Sequence, residues 1–218
     1  MPSLPARMRL PVLFWVYTRL EVPEPELRHV AKLVGRHGGL AIDAGANAGL
    51  YSYALSRVCA KVHAFEILPQ HCRSLEQFDA PNIQIHTIGL SNRHGEATVF
   101  TPVHPSGAVL MGWASLEKGN CPNAEQHLEE VVRVRPLDSF EFENCAFLKI
   151  DVEGHELEVL EGAAKTISRT RPRILVEVRK KNEASVEAFL RNLGFRQRDF
   201  GEVLGHAGGK GNRFYMPE

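Results

Sequence analysis

Ile42-Asp43-Ala44-Gly45-Ala46-Asn47-Ala48-Gly49 is the stretch that decides the fold. It leaves the apolar run Leu40-Ala41-Ile42, passes an acid and crosses small residues into residues 50–58, whose apolar positions recur at helical spacing. Glycine and alanine in such a strand-to-helix loop let backbone approach a ligand closely, and the first N–H groups of the helix lack partners. In an open parallel sheet, ligands bind beyond the carboxyl ends of the strands.

Outward from this loop the same rhythm repeats. Residues 26–36 read as a helix through Leu27, Val30, Ala31 and Val34, stopped by His37-Gly38-Gly39. Strands follow at 61–65, ending in Glu66, and at 83–88, with a helix at 70–78 between them. After residue 146 come a strand at 147–150, a helix at 156–168, a strand at 174–178 and a helix at 183–193. This alternation predicts a mostly parallel sheet with helices on both faces. Segments 195–200 and 213–216 close it as antiparallel edges, and Gly205 to Gly211, with His206, reads as a turn between them.

Two regions depart from the rhythm. Residues 1–24, interrupted by proline and charge, read as an arm with one short helical turn. Between the third and fourth strands, a turn at 92–95 precedes an exposed strand at 96–101, which pairs with 131–134 as a hairpin. Residues 102–128 show no period and are too long for an idle connection, so they read as a binding loop or lid. There Trp113, His104 and Ser115 are candidates to face a ligand, and an apolar anchor is the equal alternative for Trp113. The expected organisation is one domain over 1–218, with an arm at 1–24 and a hairpin insertion at 92–135.

Composition narrows the function. The 218 residues are 44% hydrophobic and 24% charged, the profile of a globular domain. Lysine plus arginine and aspartate plus glutamate each total 26, so the basic excess of a nucleic-acid binder is missing. Cys59, Cys72, Cys121 and Cys145 form no CxxC pair and read as free thiols in a reducing compartment. Residues 12–17 are too few to span a bilayer and lack a signal-peptide cleavage site, which makes the cytoplasm the expected location. Leu13, Phe14, Trp15 and Tyr17 read as packing onto the domain rather than as a membrane contact.

The loop chemistry selects a cofactor. From Gly45 the next glycine is Gly49, so the G-x-G-x-x-G spacing of a dinucleotide site fails, and no lysine follows Gly49 as a phosphate loop requires. Asp43 before the loop disfavours pyrophosphate and suits a cation. Glu66, at the end of the second strand, can accept both hydroxyls of a ribose. A ligand with a ribose, no phosphate and a positive centre describes S-adenosylmethionine. A helix-capping Asp43 and a solvated Glu66 are the bland alternative, which their joint placement at strand ends disfavours.

Asp43-Ala-Gly-Ala-Asn-Ala-Gly49, His63-Ala-Phe-Glu66, Gly89-Leu-Ser-Asn92, Leu137-Asp-Ser-Phe140 and the run from Leu148 to Ala163 resemble, in order, the motifs of the FkbM family of methyltransferases. The resemblance covers about residues 40–180, and Lys149 to Gly162 is its most specific part. It implies a Rossmann-like class I methyltransferase fold, S-adenosylmethionine as donor, and a small-molecule acceptor, usually a hydroxyl of a sugar or natural product. Carried onto this chain, the cofactor residues would be Asp43, Gly45, Asn47, Gly49, Glu66, Gly89, Ser91 and Asp151. One departure is the proline the family often carries directly after the ribose acid; here Ile67 and Leu68 stand between Glu66 and Pro69.

Lys149-Ile150-Asp151-Val152-Glu153-Gly154-His155-Glu156 packs acids and a histidine into one strand-to-helix turn. Methyl transfer to an alcohol needs the acceptor oxygen aligned and its proton removed. Asp151, Glu153, His155 and, from the next strand end, Glu177 are the candidates, with Asp151 expected nearest the methyl group. His155 fits a surface position equally well, and Glu156 fits a helix-start role through the dipole. Such a set could hold Mg²⁺, but nothing in the spacing demands a metal. Arg179-Lys180-Lys181 reads as a solvated helix approach, with attraction of an acidic or phosphorylated acceptor as the alternative. A nicotinamide oxidoreductase and a catalytically silent binding module are the rival functions. The failed glycine spacing disfavours the first, and the intact Asp43, Glu66 and Asp151 disfavour the second. Oligomeric state leaves no signature in the sequence.

Overall fold

The computed structural model describes residues 4–20, 24–35, 38–118, 121, 124 and 126–218. Helices α1 (Ala6–Arg19) and α2 (Val30–Val34) precede the first βα units: β1 (Leu40–Ala44), α3 (Leu50–Ser56), β2 (Lys61–Phe65), α4 (Pro69–Phe78) and β3 (Ile83–His86). A small sheet interrupts them, made of β4 (Gly89–Leu90), β5 (Gly95–Val103) and β6 (Gln126–Arg135). The rhythm then resumes with β7 (Cys145–Ile150), α5 (Glu156–Glu161), α6 (Ala164–Thr170), β8 (Arg173–Glu177) and α7 (Glu183–Asn192). It ends with β9 (Phe195–Arg198), α8 (Phe200–Leu204) and β10 (Asn212–Pro217).

The main sheet has seven strands in the order β3-β2-β1-β7-β8-β10-β9. Its first five are parallel, and β10 runs antiparallel to β8 and to β9. Chain order reverses between β1 and β7, which opens a crevice beyond their carboxyl ends. Both strands are almost wholly buried because helices cover both faces. Ile42, Ala44, Leu148, Ile150, Ile174 and Val176 pack on one side, and Ala41, Phe147, Leu175 and Phe214 on the other. The hairpin is present and longer than its sequence pattern suggests, with β5 and β6 in register from Gly95↔Val134 to Val103↔Gln126.

Four expectations are corrected. The arm with one turn read at 1–24 is corrected over its described residues, where α1 runs for 14 residues through Pro11. Proline inside a helix costs about 3 kcal/mol, and packing offsets it: Leu10 is buried and the Phe14 ring lies 5.0 Å from that of Tyr53. Of the aromatic run at its end, Trp15 and Tyr17 stay exposed. The helix read at 26–36 is a 3-10 turn, Pro25–His29, followed by α2, which ends at Gly35 with φ +79°; Arg36 and His37 lie outside the described residues. The helix read at 156–168 is two helices, broken where a Cβ on Gly162 would lie 2.0 Å from the Ser91 carbonyl oxygen. Asp138, far away in sequence, caps the second piece by accepting from the N–H groups of Lys165 and Thr166. Finally, the strand read at 195–200 ends at Arg198, and Phe200 instead opens α8, which is capped by Asp199 accepting from Gly201 N and Glu202 N.

Candidate active site

Strand register builds the centre of the site. Asp43 on β1 pairs across with Lys149 on β7, which pairs with Leu175 on β8. Registered neighbours share a face, and so do residues two apart. Asp43, Lys149, Asp151 and Glu177 therefore project to one side, the side covered by α3. Lys149 is 2% exposed, and its Nζ donates to Asp151 Oδ2 at 2.6 Å. The same ammonium lies 4.6 Å from the Tyr51 ring centroid, and Ser52 Oγ donates to Asp43 Oδ2 at 2.6 Å.

The electrostatics follow from that packing. Burial raises the Asp43 pKa against the opposing pull of Lys149 and Ser52. Burial also works against the charge of Lys149, but Asp151 and Asp43 outweigh it and hold its pKa above the ordinary lysine range. Glu177 is pushed up to about 8, first by burial and then by the neighbouring Asp151 charge. Lys149 is a site residue that sequence reading missed. Its signal was available, because a lysine inside a buried strand opposite Asp43 needs a carboxylate partner.

The glycine loop is fixed by backbone contacts. Gly45 N and Ala46 N both donate to Phe65 O, at 2.9 and 3.0 Å, and Asp151 N donates to Ala44 O at 2.9 Å. Gly45 has φ +79°, and a Cβ there would lie 1.8 Å from the Asp151 carbonyl oxygen. Glycine thus lets the loops after β1 and β7 touch. Asn47 N donates to Glu66 Oε2 at 2.7 Å, and Leu68 N donates to Glu66 Oε1 at 2.9 Å. These two bonds aim a carboxylate that is only 5% exposed.

The turn after β7 is clamped by the insertion. Ser115 Oγ donates to Glu153 O at 2.6 Å. Arg179 pairs with Glu153 and lies 5.0 Å from the Trp113 ring centroid. Glu156, buried, accepts from Gly154 N at 2.5 Å and from Asn182 Nδ2 at 3.0 Å, which pins the turn. His155 Nε2 sits 3.0 Å from Ser91 Oγ, and its Nδ1 lies 3.1 Å from Glu117 Oε1 and 3.6 Å from Glu158 Oε2. Their three ligand-type atoms fall within 4.8 Å of one another, a spacing that could also hold a metal ion. Glu117 lies in the aperiodic segment and had no sequence signal.

A cleft with about 670 Å³ of empty space, its open mouth included, joins these pieces. Of the expected residues, Gly45, Asn47, Glu66, Gly89, Asp151, Glu153 and His155 line it. Asp43, Gly49, Ser91 and Glu177 are not among its lining residues. The insertion supplies Met111, Gly112, Ala114, Ser115 and Leu116 to the wall. His104 instead faces Ser106 at the surface, and His206 lies against His29. The donor set fits a sulfonium nucleoside: Ile67, Ile88 and Leu90 offer an apolar slot beside the Glu66 carboxylate, and Asp151 and Glu153 give a negative wall for a cation.

Sheet order, switch-point cleft and strand-end acid together define a Rossmann-like class I methyltransferase fold of the S-adenosylmethionine-dependent kind. Residues 43–197 match the model of the methyltransferase FkbM domain, and the chain belongs to that family. A methyltransferase FkbM structure from Methylobacillus flagellatus KT superposes with a TM-score of 0.60 at 18% identity, covering 97% of this chain and 52% of that one. This chain therefore spans about half the length of that relative. A Streptococcus mutans structure described as a methyltransferase in complex with SAH gives 0.52 at 17% identity, covering 90% and 97%. Precorrin 8W decarboxylase from Methanobacterium thermoautotrophicum gives 0.51 at 12% identity, covering 89% and 90%. No curated protein matches the sequence.

Proposed function

We propose that the chain acts as one methyltransferase domain whose cleft binds S-adenosylmethionine, and that it methylates a hydroxyl oxygen of a small acceptor, a sugar or natural product. The observation that carries the reading is one cleft bearing two kinds of group: the Glu66 carboxylate held by Asn47 N and Leu68 N, and His155 with Glu117 behind it. When bound, the cofactor supplies an activated methyl group on a sulfonium.

The chain's own residues do the rest. Glu66 accepts the ribose hydroxyls with the lone pairs its two backbone donors leave free. Gly45, Asn47 and Gly89 shape the backbone around the nucleoside, with Asp43, Gly49 and Ser91 supporting them. Asp151, held by Lys149, and Glu153, held by Arg179, face the sulfonium and attract its positive charge. His155 takes the acceptor proton at Nε2 once the acceptor hydroxyl displaces the Ser91 Oγ contact held there at 3.0 Å, and the Nδ1 proton points at Glu117. Glu177 acts only through Asp151. The insertion wall, Met111 to Leu116, contacts the acceptor and keeps water out.

The test is transfer of a labelled methyl group from S-adenosylmethionine to panels of glycans and polyhydroxylated natural products. An alkali-stable label on an acceptor hydroxyl is expected. An alkali-labile label would mark a carboxyl ester and overturn the alcohol acceptor.

A further inference from the structure

Helix α1 buries one face and leaves the opposite one bare. Leu10 and Phe14 pack toward α3 and α4. At about 3.6 residues per turn, Met8, Val12 and Trp15 fall on the other side, continued by Leu4 before the helix. Their exposures are 48%, 39%, 59% and 40%. Arg7 and Arg9 flank this stripe on its two sides. Arg19 closes it, with its guanidinium 5.6 Å from the Trp15 ring centroid. Tyr17 and Leu20 are also exposed at this end but lie off the stripe, Tyr17 on the side of Leu10 and Phe14. The helix carries three arginines and no acid.

An apolar stripe bordered by cations on both sides, with Trp15 at one end, matches the chemistry of an interfacial helix on anionic lipid. A second copy of the chain fits less well, since a two-fold contact through α1 would set arginines against arginines with no acid in the helix to answer them. No described helix is long and apolar enough to cross a membrane, so the contact would lie in the plane of the surface. We propose that α1 docks the protein on membranes rich in anionic lipid, with Leu4, Met8, Val12 and Trp15 entering the headgroup–acyl boundary and Arg7, Arg9 and Arg19 meeting phosphates. This inference is independent of the reaction assigned to the cleft.

The test uses vesicles of three parts phosphatidylcholine to one part phosphatidylglycerol, with pure phosphatidylcholine as the comparison. The chain has two tryptophans, so a Trp113→Phe background leaves Trp15 as the reporter. Emission should shift to the blue with anionic vesicles, and co-sedimentation should weaken as salt rises. Met8→Ser with Trp15→Ser should lower vesicle partitioning about tenfold or more, as should Arg7→Gln with Arg9→Gln. All four positions are exposed, so thermal unfolding should stay unchanged and confirm that the variants fold. Wild-type protein left in the supernatant at low salt would overturn the proposal, as would variants that bind as wild type does. A lipid-free dimer that Met8→Ser with Trp15→Ser dissociates would overturn it in favour of a second copy.

Discussion

Replacing Lys149 with methionine removes the one cation of a buried charge cluster while keeping side-chain length. Lys149 donates to Asp151 Oδ2 at 2.6 Å and lies opposite Asp43, whose Oδ1 is buried with no hydrogen-bond partner. Without the ammonium, Asp43, Asp151 and Glu177 are left as carboxylates on one face of the sheet. Breaking a buried pair by deleting one partner costs about 3–5 kcal/mol, against a total stability of about 5–15 kcal/mol for an ordinary domain. The penalty should depend on pH with a definite sign. Asp43 and Glu177 already have raised pKa values through burial. Losing Lys149 raises them further, so the variant's carboxylates take up protons as pH falls. The deficit should therefore be largest near pH 8 and shrink toward pH 5. Urea unfolding followed by circular dichroism at both pH values reads it directly. Adding Asp151→Asn to Lys149→Met should recover part of the loss, because one stranded charge is gone. An unchanged urea midpoint, or a deficit equal at both pH values, would refute the buried-charge argument.

Other outcomes follow from the same geometry. His155→Ala should lower turnover by about 10²–10⁴ while leaving SAH affinity little changed; near-normal turnover on a confirmed acceptor would remove His155 as the proton acceptor. His63 is 5% exposed and hydrogen-bonded to His86 at 2.8 Å, and burial pushes its pKa down to about 4. Its neutral form thus contributes stability above the unfolded pKa of 6.5, lost as pH falls toward 4, by about 3 kcal/mol; His63→Phe should flatten that acid limb of the urea-midpoint profile. Hydrogen exchange should find residues 104–118 faster than β1 and β7 without ligand, and slower once cofactor and acceptor are bound; equal protection without ligand would exclude a lid.

The sequence made the parallel sheet legible because its strands are short apolar runs separated by helical periods, each ending in an acid or a glycine. The loop from Asp43 to Gly49 and the acid Glu66 were legible for the same reason, since strand ends are where chemistry collects in this architecture. What escaped depends on long-range contacts. Helix α1 was hidden by Pro11, whose local cost is offset only by packing against α3 and α4. The break at Gly162 answers to the Ser91 backbone, and its cap, Asp138, comes from another element. Lys149 lay in plain view inside a motif, but its partnership with Asp43 is a matter of strand register. Glu117 meets His155 only because β5 and β6 carry the insertion back over the turn after β7.

The central claim is that the cleft beside Glu66 is a site for S-adenosylmethionine, and calorimetric titration of SAH into the wild-type protein and Glu66→Gln tests it most directly. Glutamine can keep only one of the two acceptors that Asn47 N and Leu68 N use, and the charge is gone, so about 1.5–3 kcal/mol of binding should be lost. The account predicts one SAH per chain with wild-type protein and affinity weaker by about 10–100-fold in the variant. Wild-type protein that takes up no SAH, or a variant that binds it as tightly, would contradict it.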